Sequence, residues 1–430
     1  MKTINIGLIG YGVVGQGVVK ILKDKKGFFK EKFGVDFRLK TLCDRSIHKK
    51  DARGLAGTRL TKNVWDVLKD PDIQIVIELI GGIHPALDII KYSLKSGKSV
   101  ITANKVVIAH HGVELFALAR KYEADLYLES SVGAGIPVIK SLTEGLAGNK
   151  FESLYGIVNG TCNFILSEMT HKDCSFETAL KEAQRLGYAE SNPALDINGT
   201  DTAHKLAILA YFTFGKMIPV KEIYTEGISR ISHDDIEYAE SMDLTIKLLA
   251  VAKKNGKEVE ARVHPTLISK DHPLSAINGV NNAVVMNSDL MGQILLSGRG
   301  AGQEPAASGV ISDLVNYATK SRDVRPLCNL KENDASLKIR KIDEVSTKFY
   351  IRFMAVDKAG VLSKISGILG GYGIGIHAVT QKGNVGRSQV VPLIILTDTT
   401  TEGGLHRALN DIQKLSVIKD KPVAIRIESL

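Results

Sequence analysis

The turn Gly10-Tyr11-Gly12-Val13-Val14-Gly15 follows the apolar run Ile4–Ile9 and opens a stretch with apolar residues at Val14, Val18 and Leu22. A strand, a glycine-rich turn and a helix in that order begin a βαβ unit, which commits the chain to a parallel sheet covered by helices. Glycines permit the tight turn and let a pyrophosphate approach the helix N-terminus closely. Gly10, Gly12 and Gly15, with Val13 and Val14, are therefore candidate cofactor contacts. The competing reading is a turn that serves packing alone.

The first third of the chain keeps this rhythm. Strands are expected at Ile4–Ile9, Arg38–Cys43, Ile73–Leu79, Ser99–Ala103 and Asp125–Glu129, and helices at Val13–Lys23, Pro85–Ser96 and Gly112–Tyr122. The result is a doubly wound parallel sheet over residues 1–133. Its second strand ends at Asp44-Arg45, where an acidic residue would hold a ribose 2′-hydroxyl and a basic one a 2′-phosphate. Lys49, Lys50 and Arg53 follow closely, so NADP is favoured over NAD, with dual use left open. The bland reading is a solvated basic loop. Gly81 and Lys105 follow two further strands and belong at the carboxyl edge of the sheet, where open α/β folds bind ligands.

With 430 residues the chain needs two to four domains. Residues 134–322 read as an α+β domain, with strands at Phe151–Val158, Glu260–Pro265 and Asn282–Met286. Its helices are expected at Ser175–Leu186, Asp201–Phe214 and Ser241–Lys254, while a helix near 305–320 packs back onto the first domain. Residues 323–348 read as a linker, and 349–430 show the order βαββαβ of a ferredoxin-like module.

The net charge of +9 raises the question of nucleic acid, but the basic residues are dispersed and aromatics are only 6% of the chain, so a base-stacking platform is not indicated. Cys43, Cys162, Cys174 and Cys328 form no CxxC pair, which fits a reducing cytoplasm. The N-terminus lacks the features of a signal peptide. The longest apolar run, Val390–Leu396, is far short of the roughly 20 residues of a membrane span. Neither membrane nor nucleic acid is expected as a partner.

The richest stretch runs from Gly187 to Leu206. A loop with Tyr188, Glu190 and Asp196 enters a helix on which Asp201 and Lys205 lie four apart, hence on one face. By spacing alone this is a helix start with a routine ion pair, worth about 0.3–0.5 kcal/mol. The specific signal comes from three motifs together: Gly187–Lys205, Gly156-Ile157-Val158-Asn159-Gly160-Thr161-Cys162-Asn163-Phe164-Ile165-Leu166, and Gly298-Arg299-Gly300-Ala301-Gly302. The chain resembles homoserine dehydrogenase with a C-terminal ACT domain over essentially its whole length.

That resemblance implies interconversion of L-homoserine and L-aspartate 4-semialdehyde with NAD or NADP, on the route to threonine, methionine and isoleucine. It implies a Rossmann-type first domain, a catalytic and dimerisation domain over residues 134–322, Lys205 as proton donor to the carbonyl oxygen, Asp201 as its holder, and Lys105 as positive charge near the reacting oxygen or cofactor. Glu190 would take the substrate ammonium, with Asp196, Tyr188 and the Gly160-Thr161 backbone completing the amino-acid site and Gly302 assigned to the cofactor. Hydride attack on an aldehyde charges its oxygen, so an ammonium there stabilises that charge and supplies the proton. The Glu129–Pro137 loop resembles a sodium site with Glu129 as side-chain ligand and Val132, Ala134 and Ile136 as carbonyl donors; the alternative is a domain crossover without an ion. Cys162, Phe164 and Arg299 depart from the usual Ser/Thr, Tyr and Pro. The ACT module implies threonine as effector, or assembly alone, and self-association as a dimer or tetramer. Two other classes compete: a catalytically silent amino-acid sensor, and a semialdehyde dehydrogenase that uses Cys162 as nucleophile, for which no basic partner is adjacent in sequence.

Overall fold

The computed structural model of the chain describes residues 1–47, 55–320, 333–381 and 390–430. It begins with β1 (Lys2–Ile9), α1 (Val13–Asp24), α2 (Lys26–Phe33), β2 (Val35–Cys43), β3 (Arg59–Thr61), α3 (Trp65–Leu68), β4 (Ile75–Glu78), α4 (Ala86–Lys95), β5 (Ser99–Thr102), α5 (Lys105–Lys121) and β6 (Leu126–Tyr127). Next come α6 (Val138–Lys140), β7 (Phe151–Ile157), α7 (Gly160–Lys172), α8 (Phe176–Arg185), α9 (Ala194–Ile197), α10 (Thr200–Phe214), β8 (Tyr224–Thr225) and α11 (His233–Glu240). After these stand β9 (Leu244–Asn255), β10 (Glu258–Ser269), β11 (Asn281–Ser288), β12 (Gly292–Arg299), α12 (Gln303–Thr319) and β13 (Lys338–Ile339). The last part holds β14 (Ser346–Val356), α13 (Val361–Gly371), β15 (Ile376–Gln381), β16 (Val390–Thr397), β17 (Thr400–Thr401), α14 (Glu402–Gln413) and β18 (Val423–Ile427).

Two compact units emerge. The first comprises Met1–Val158, His204–Glu222 and Val280–Leu337, and the second the remaining segments. Six parallel strands of the first unit lie in the order β3-β2-β1-β4-β5-β6. The order reverses between β1 and β4, so the loops leaving these strands diverge and open a crevice at the carboxyl edge. Ile4, Ile6 and Leu8 of β1 pack against Val18 and Leu22 of α1 and against Ala307, Val310, Ile311 and Leu314 of α12. Each such buried aliphatic side chain contributes about 1–3 kcal/mol, which explains how a helix so remote in sequence belongs to this core. The antiparallel set β7-β11-β12 completes the strands of this unit.

In the second unit the strands run β9-β10-β18-β14-β16-β15. The last four, with α13 and α14 between them in sequence, form the βαββαβ module around Phe349, Ile351, Phe353, Ile365, Leu393, Ile395 and Leu405. β18 lies between β14, antiparallel, and β10, parallel, so the module shares a sheet with residues 244–269.

Three sequence expectations change. Ser241–Lys254 was expected as a helix, yet Leu244–Asn255 is a strand paired with β10 from Leu244↔Ser269 to Asn255↔Glu258. Its apolar residues fit either period, and both of its faces are covered; the deciding signal is the turn after Asn255, where Gly256 has φ +57 and joins two strands by two residues. Helix α5 starts at Lys105 rather than Gly112 because Asn104 caps it, accepting from Val107 N at 3.2 Å. The expected linker, in its described part, is held down: Asp334 N donates to the Gly215 carbonyl at 2.9 Å, and Lys338–Ile339 pairs with β10. Consequently the compact units do not follow the expected boundaries at 133, 322 and 348.

Candidate active site

The glycine turn lies between β1 and α1. Gly10 has φ +101, and a Cβ on Gly15 would come 2.2 Å from the Gly10 carbonyl oxygen, so neither position accepts a side chain. Gly12 caps α1 without any side-chain hydrogen bond, and nothing lies within 4 Å of where its Cβ would stand. This is a cradle for an anion at the positive end of a helix. Val13 is exposed and Val14 half-buried. Gln303 Nε2 donates to Val13 O at 3.0 Å, which brings the segment ending in Gly302, the cap of α12, to the same turn.

A cavity of about 610 Å³ opens there, lined by Gly10, Asp44, Arg45, Ser46, Lys62, Asn63, Trp65, Gly81 and His84 among others. The Asp44 carboxylate is bound by the turn and its own loop: Oδ2 accepts from Tyr11 N at 2.8 Å, and Oδ1 from Ser46 N at 2.8 Å and Ser46 Oγ at 2.9 Å. It therefore steadies the turn itself. Arg45 and Lys62 place two cations on the cavity wall from separate loops. Arg53, with Lys49 and Lys50, lies outside the described residues. Lys105 is half-buried at the first position of α5.

The Glu129 loop follows β6, the edge strand of the sheet. Glu129 is buried; its carboxylate accepts from Ile139 N at 2.8 Å and Lys140 N at 2.9 Å, and its own N–H donates to Asp313 Oδ2 at 2.9 Å. Burial pushes Glu129 up and Asp313 up to about 8. Val132 is buried, Ala134 adopts φ +54, and the Ile136 carbonyl accepts from Val138 N at 2.8 Å. Among the described residues no cluster of three His, Cys, Asp or Glu side chains is poised for a metal.

The division between the two units falls inside α10, after Ala203. In the first unit Lys205 Nζ donates to the Val158 carbonyl at 2.6 Å, which fixes the ammonium at the end of β7. In the second, Asn159 does work that sequence reasoning had not assigned. Its Oδ1 caps α7, accepting from Cys162 N at 2.8 Å, while its Nδ2 donates to Asp196 Oδ1 at 2.7 Å and Asp201 Oδ2 at 3.0 Å. One amide thus gathers two aspartates at the positive end of a thirteen-residue helix. Thr161 Oγ1 donates to Tyr188 O at 2.6 Å, and the Tyr188 ring lies 5.0 Å from Phe164, so the Gly160-Thr161 turn and Tyr188 belong together. Glu190 is exposed on the same loop. Cys162 is fully buried with Sγ donating to Asp196 O at 3.2 Å, a structural thiol rather than a nucleophile open to an aldehyde.

Two family models match the sequence: the NAD-binding domain of homoserine dehydrogenase over residues 10–129 and homoserine dehydrogenase itself over residues 137–315. A homoserine dehydrogenase of Neisseria gonorrhoeae is 38% identical, with 100% of each chain covered. The chain belongs to the homoserine dehydrogenase family. A crystal structure of the Thiobacillus denitrificans enzyme superposes with a TM-score of 0.93 at 40% identity, covering 100% of this chain and 99% of that one. A hyperthermophilic archaeal homoserine dehydrogenase mutant, solved in complex with NADPH, covers 73% of this chain and 97% of its own at 27% identity and a TM-score of 0.63. The dehydrogenase is thus an NAD(P)-dependent oxidoreductase acting on the CH–OH group of homoserine. Among the described residues no helix is long and apolar enough to cross a membrane. Sequence reading missed Ser46, Lys62, Asn63 and Trp65 on the cofactor cavity, since they follow β2 or β3 without a motif. Asn159 was in view within the Asn159-Gly160-Thr161 motif, and its position before a helix was the available signal.

Proposed function

We propose that this dehydrogenase moves the proton of the reaction with Lys205 and prefers NADP. The observation that carries the first statement is the Lys205 Nζ to Val158 O hydrogen bond, which holds one ammonium at a strand end instead of leaving a long side chain to wander. The bound nicotinamide supplies the hydride in reduction and takes it in oxidation. As the aldehyde oxygen gains charge, Lys205 stabilises it and gives up a proton; in oxidation the neutral amine takes the hydroxyl proton. Asp201 orients Lys205 one helical turn away, and Lys105 adds positive charge near the reacting oxygen or the cofactor. Glu190 and Asp196 hold the substrate ammonium, with Tyr188 and the Gly160-Thr161 backbone shaping the site.

For the cofactor, Gly10, Gly12, Val13, Val14 and Gly15 take the pyrophosphate, Gly81 and Gly302 flank it, and Arg45 and Lys62 take a 2′-phosphate. The hydrogen bonds that the Asp44 carboxylate accepts from Tyr11 N and Ser46 N support this choice, because they commit its oxygens to the turn and offset a charge that would otherwise repel that phosphate. Sodium on Glu129, Val132, Ala134 and Ile136 has a structural role; these hard oxygens suit it. The βαββαβ order and its sheet support an ACT module that binds threonine and takes part in a dimer or tetramer.

The test follows nicotinamide absorbance with homoserine, using NAD and NADP, with and without threonine. Lys205→Ala should lower kcat by about 10²–10⁴-fold with cofactor KM near normal. Replacing Arg45 and Lys62 by Ala should raise the KM for NADP about tenfold or more while sparing NAD. Unchanged kcat in the Lys205 variant, or equal effects on both cofactors, would overturn the corresponding assignment.

A further inference from the structure

The carboxyl edge of β4 and β5 carries a closed ring of hydrogen bonds with a carboxylate in it. Glu78, the last residue of β4, is fully buried. Its Oε1 accepts from Ile80 N at 2.6 Å and its Oε2 from Thr102 Oγ1 at 2.6 Å. Thr102 Oγ1 accepts from Asn104 N at 3.0 Å, and Asn104 Nδ2 donates to Ile80 O at 3.0 Å and Gly82 O at 2.7 Å. Asn104 Oδ1 meanwhile caps the helix that begins with Lys105. The ring therefore ties the Ile80–Gly82 backbone, which borders the cofactor cavity, to the residue that presents Lys105.

We propose that Glu78 is a positioning residue of the dehydrogenase: its carboxylate holds the Ile80–Gly82 loop and the Thr102–Lys105 junction in one geometry, so that cofactor and the Lys105 ammonium meet in register. A carboxylate is a costly occupant of a buried position, and packing alone would be served better by an apolar side chain. Burial pushes this carboxyl up to about 7, a burden that pure stability gives no reason to keep. What a carboxylate alone offers here is two acceptors for two donors that belong to different strand ends. Glutamine has one acceptor and one donor, so it opens the ring at Ile80 N or forces the Thr102 hydroxyl to turn.

This inference rests on the placement of Gly81 and Lys105 at the cofactor site. The chain has a single tryptophan, Trp65, on the cofactor cavity, so its fluorescence reports NADPH binding in the full-length protein. Glu78→Gln and Thr102→Val should each weaken NADPH binding about tenfold and raise cofactor KM in step, a size typical of lost support behind a binding group. The double variant should be no worse than the weaker single one, since both open the same ring, and Thr102→Ser should restore wild-type affinity. A merely structural ring would lower the melting temperature and leave affinity unchanged. Folded Glu78→Gln with wild-type affinity and kcat overturns the proposal; if that variant does not fold, Thr102→Val equal to Thr102→Ser does so. Lys105→Ala separates the two levels. If it too leaves NADPH affinity and kcat untouched, the placement of Lys105 falls, whereas loss in Lys105→Ala beside an intact Glu78→Gln removes only the role of Glu78.

Discussion

His264 shows how one residue's environment sets a property of the chain. Arg262, buried beside it, donates from Nε to His264 Nε2 at 3.0 Å, which requires that nitrogen to be an acceptor and the imidazole to be neutral. The remaining ring proton sits on Nδ1, 3.0 Å from the Pro265 carbonyl. Burial first, then the charges of Arg426 and Arg262, hold the imidazole well below the usual histidine range. The unfolded chain takes up a proton near the ordinary value while the folded one does not, so this contribution to stability is complete above pH 6.5 and is lost as pH falls. Thermal melts between pH 8 and 5 should show stability falling below about 6.5 with a slope of up to about 1.4 kcal/mol per pH unit from this group. His264→Gln should be less stable at pH 8 and flatter below; an equally steep decline would assign the effect elsewhere. Composition placed a histidine in the chain, but nothing local distinguishes this one from the exposed His84, because its partners come from β10 itself and from β18.

At the scale of elements, the N-terminus of α7 carries the best test of the substrate site. Asn159→Ala removes the cap, at about 0.5–2 kcal/mol, along with the amide that holds Asp196 and Asp201. Asn159→Ser keeps a capping oxygen and removes the amide donor that reaches the two carboxylates. We expect Asn159→Ser to melt close to the wild type, since serine caps about as well as asparagine, yet to lose about 10²-fold or more in kcat/KM for homoserine, as removal of oriented polar groups does; retained activity would show that the amide serves the cap alone. Several elements were legible from sequence: β1, α1, β4 and β5 have apolar runs with glycine or asparagine at their ends. β9 was not, because in a strand covered on both faces the apolar residues lose the alternation that marks a half-exposed one. Lys247, buried within it and pushed down to about 8 by that burial, donates to Ile277 O at 2.7 Å and Asn278 Oδ1 at 2.8 Å.

At the scale of the whole molecule, the C-terminal strand is the main surprise. Glu428, the residue after β18, pairs with Arg262 and, at 2.6 Å, with Lys253, while Arg426 within β18 pairs with Glu402 and, at 2.6 Å, with Glu226. Breaking a buried pair from one side costs about 3–5 kcal/mol because the other charge is left without its partner. Glu428→Ala should therefore lower the melting temperature of the second unit by several degrees, read by calorimetry, while cofactor affinity stays near normal. A melt like that of the wild type would mean water or rearrangement replaces the pair. The sequence reading treated residues 349–430 as separate for a sound local reason: βαββαβ is a complete repertoire of elements. Which strand takes an outside partner is decided by edge pairing, and no local pattern encodes it.

By itself the sequence determined the doubly wound first domain, the glycine cradle and the family of chemistry, because each depends on residues close together along the chain. The tertiary structure decided that the Asp44 carboxylate binds the glycine turn, that Asn159 gathers two aspartates, that Glu78 closes a ring across two strand ends and that β18 joins β14 and β10 in one sheet. All four depend on hydrogen-bond partners brought together from distant segments, and hydrogen-bond geometry over a few ångströms leaves no trace in spacing or composition.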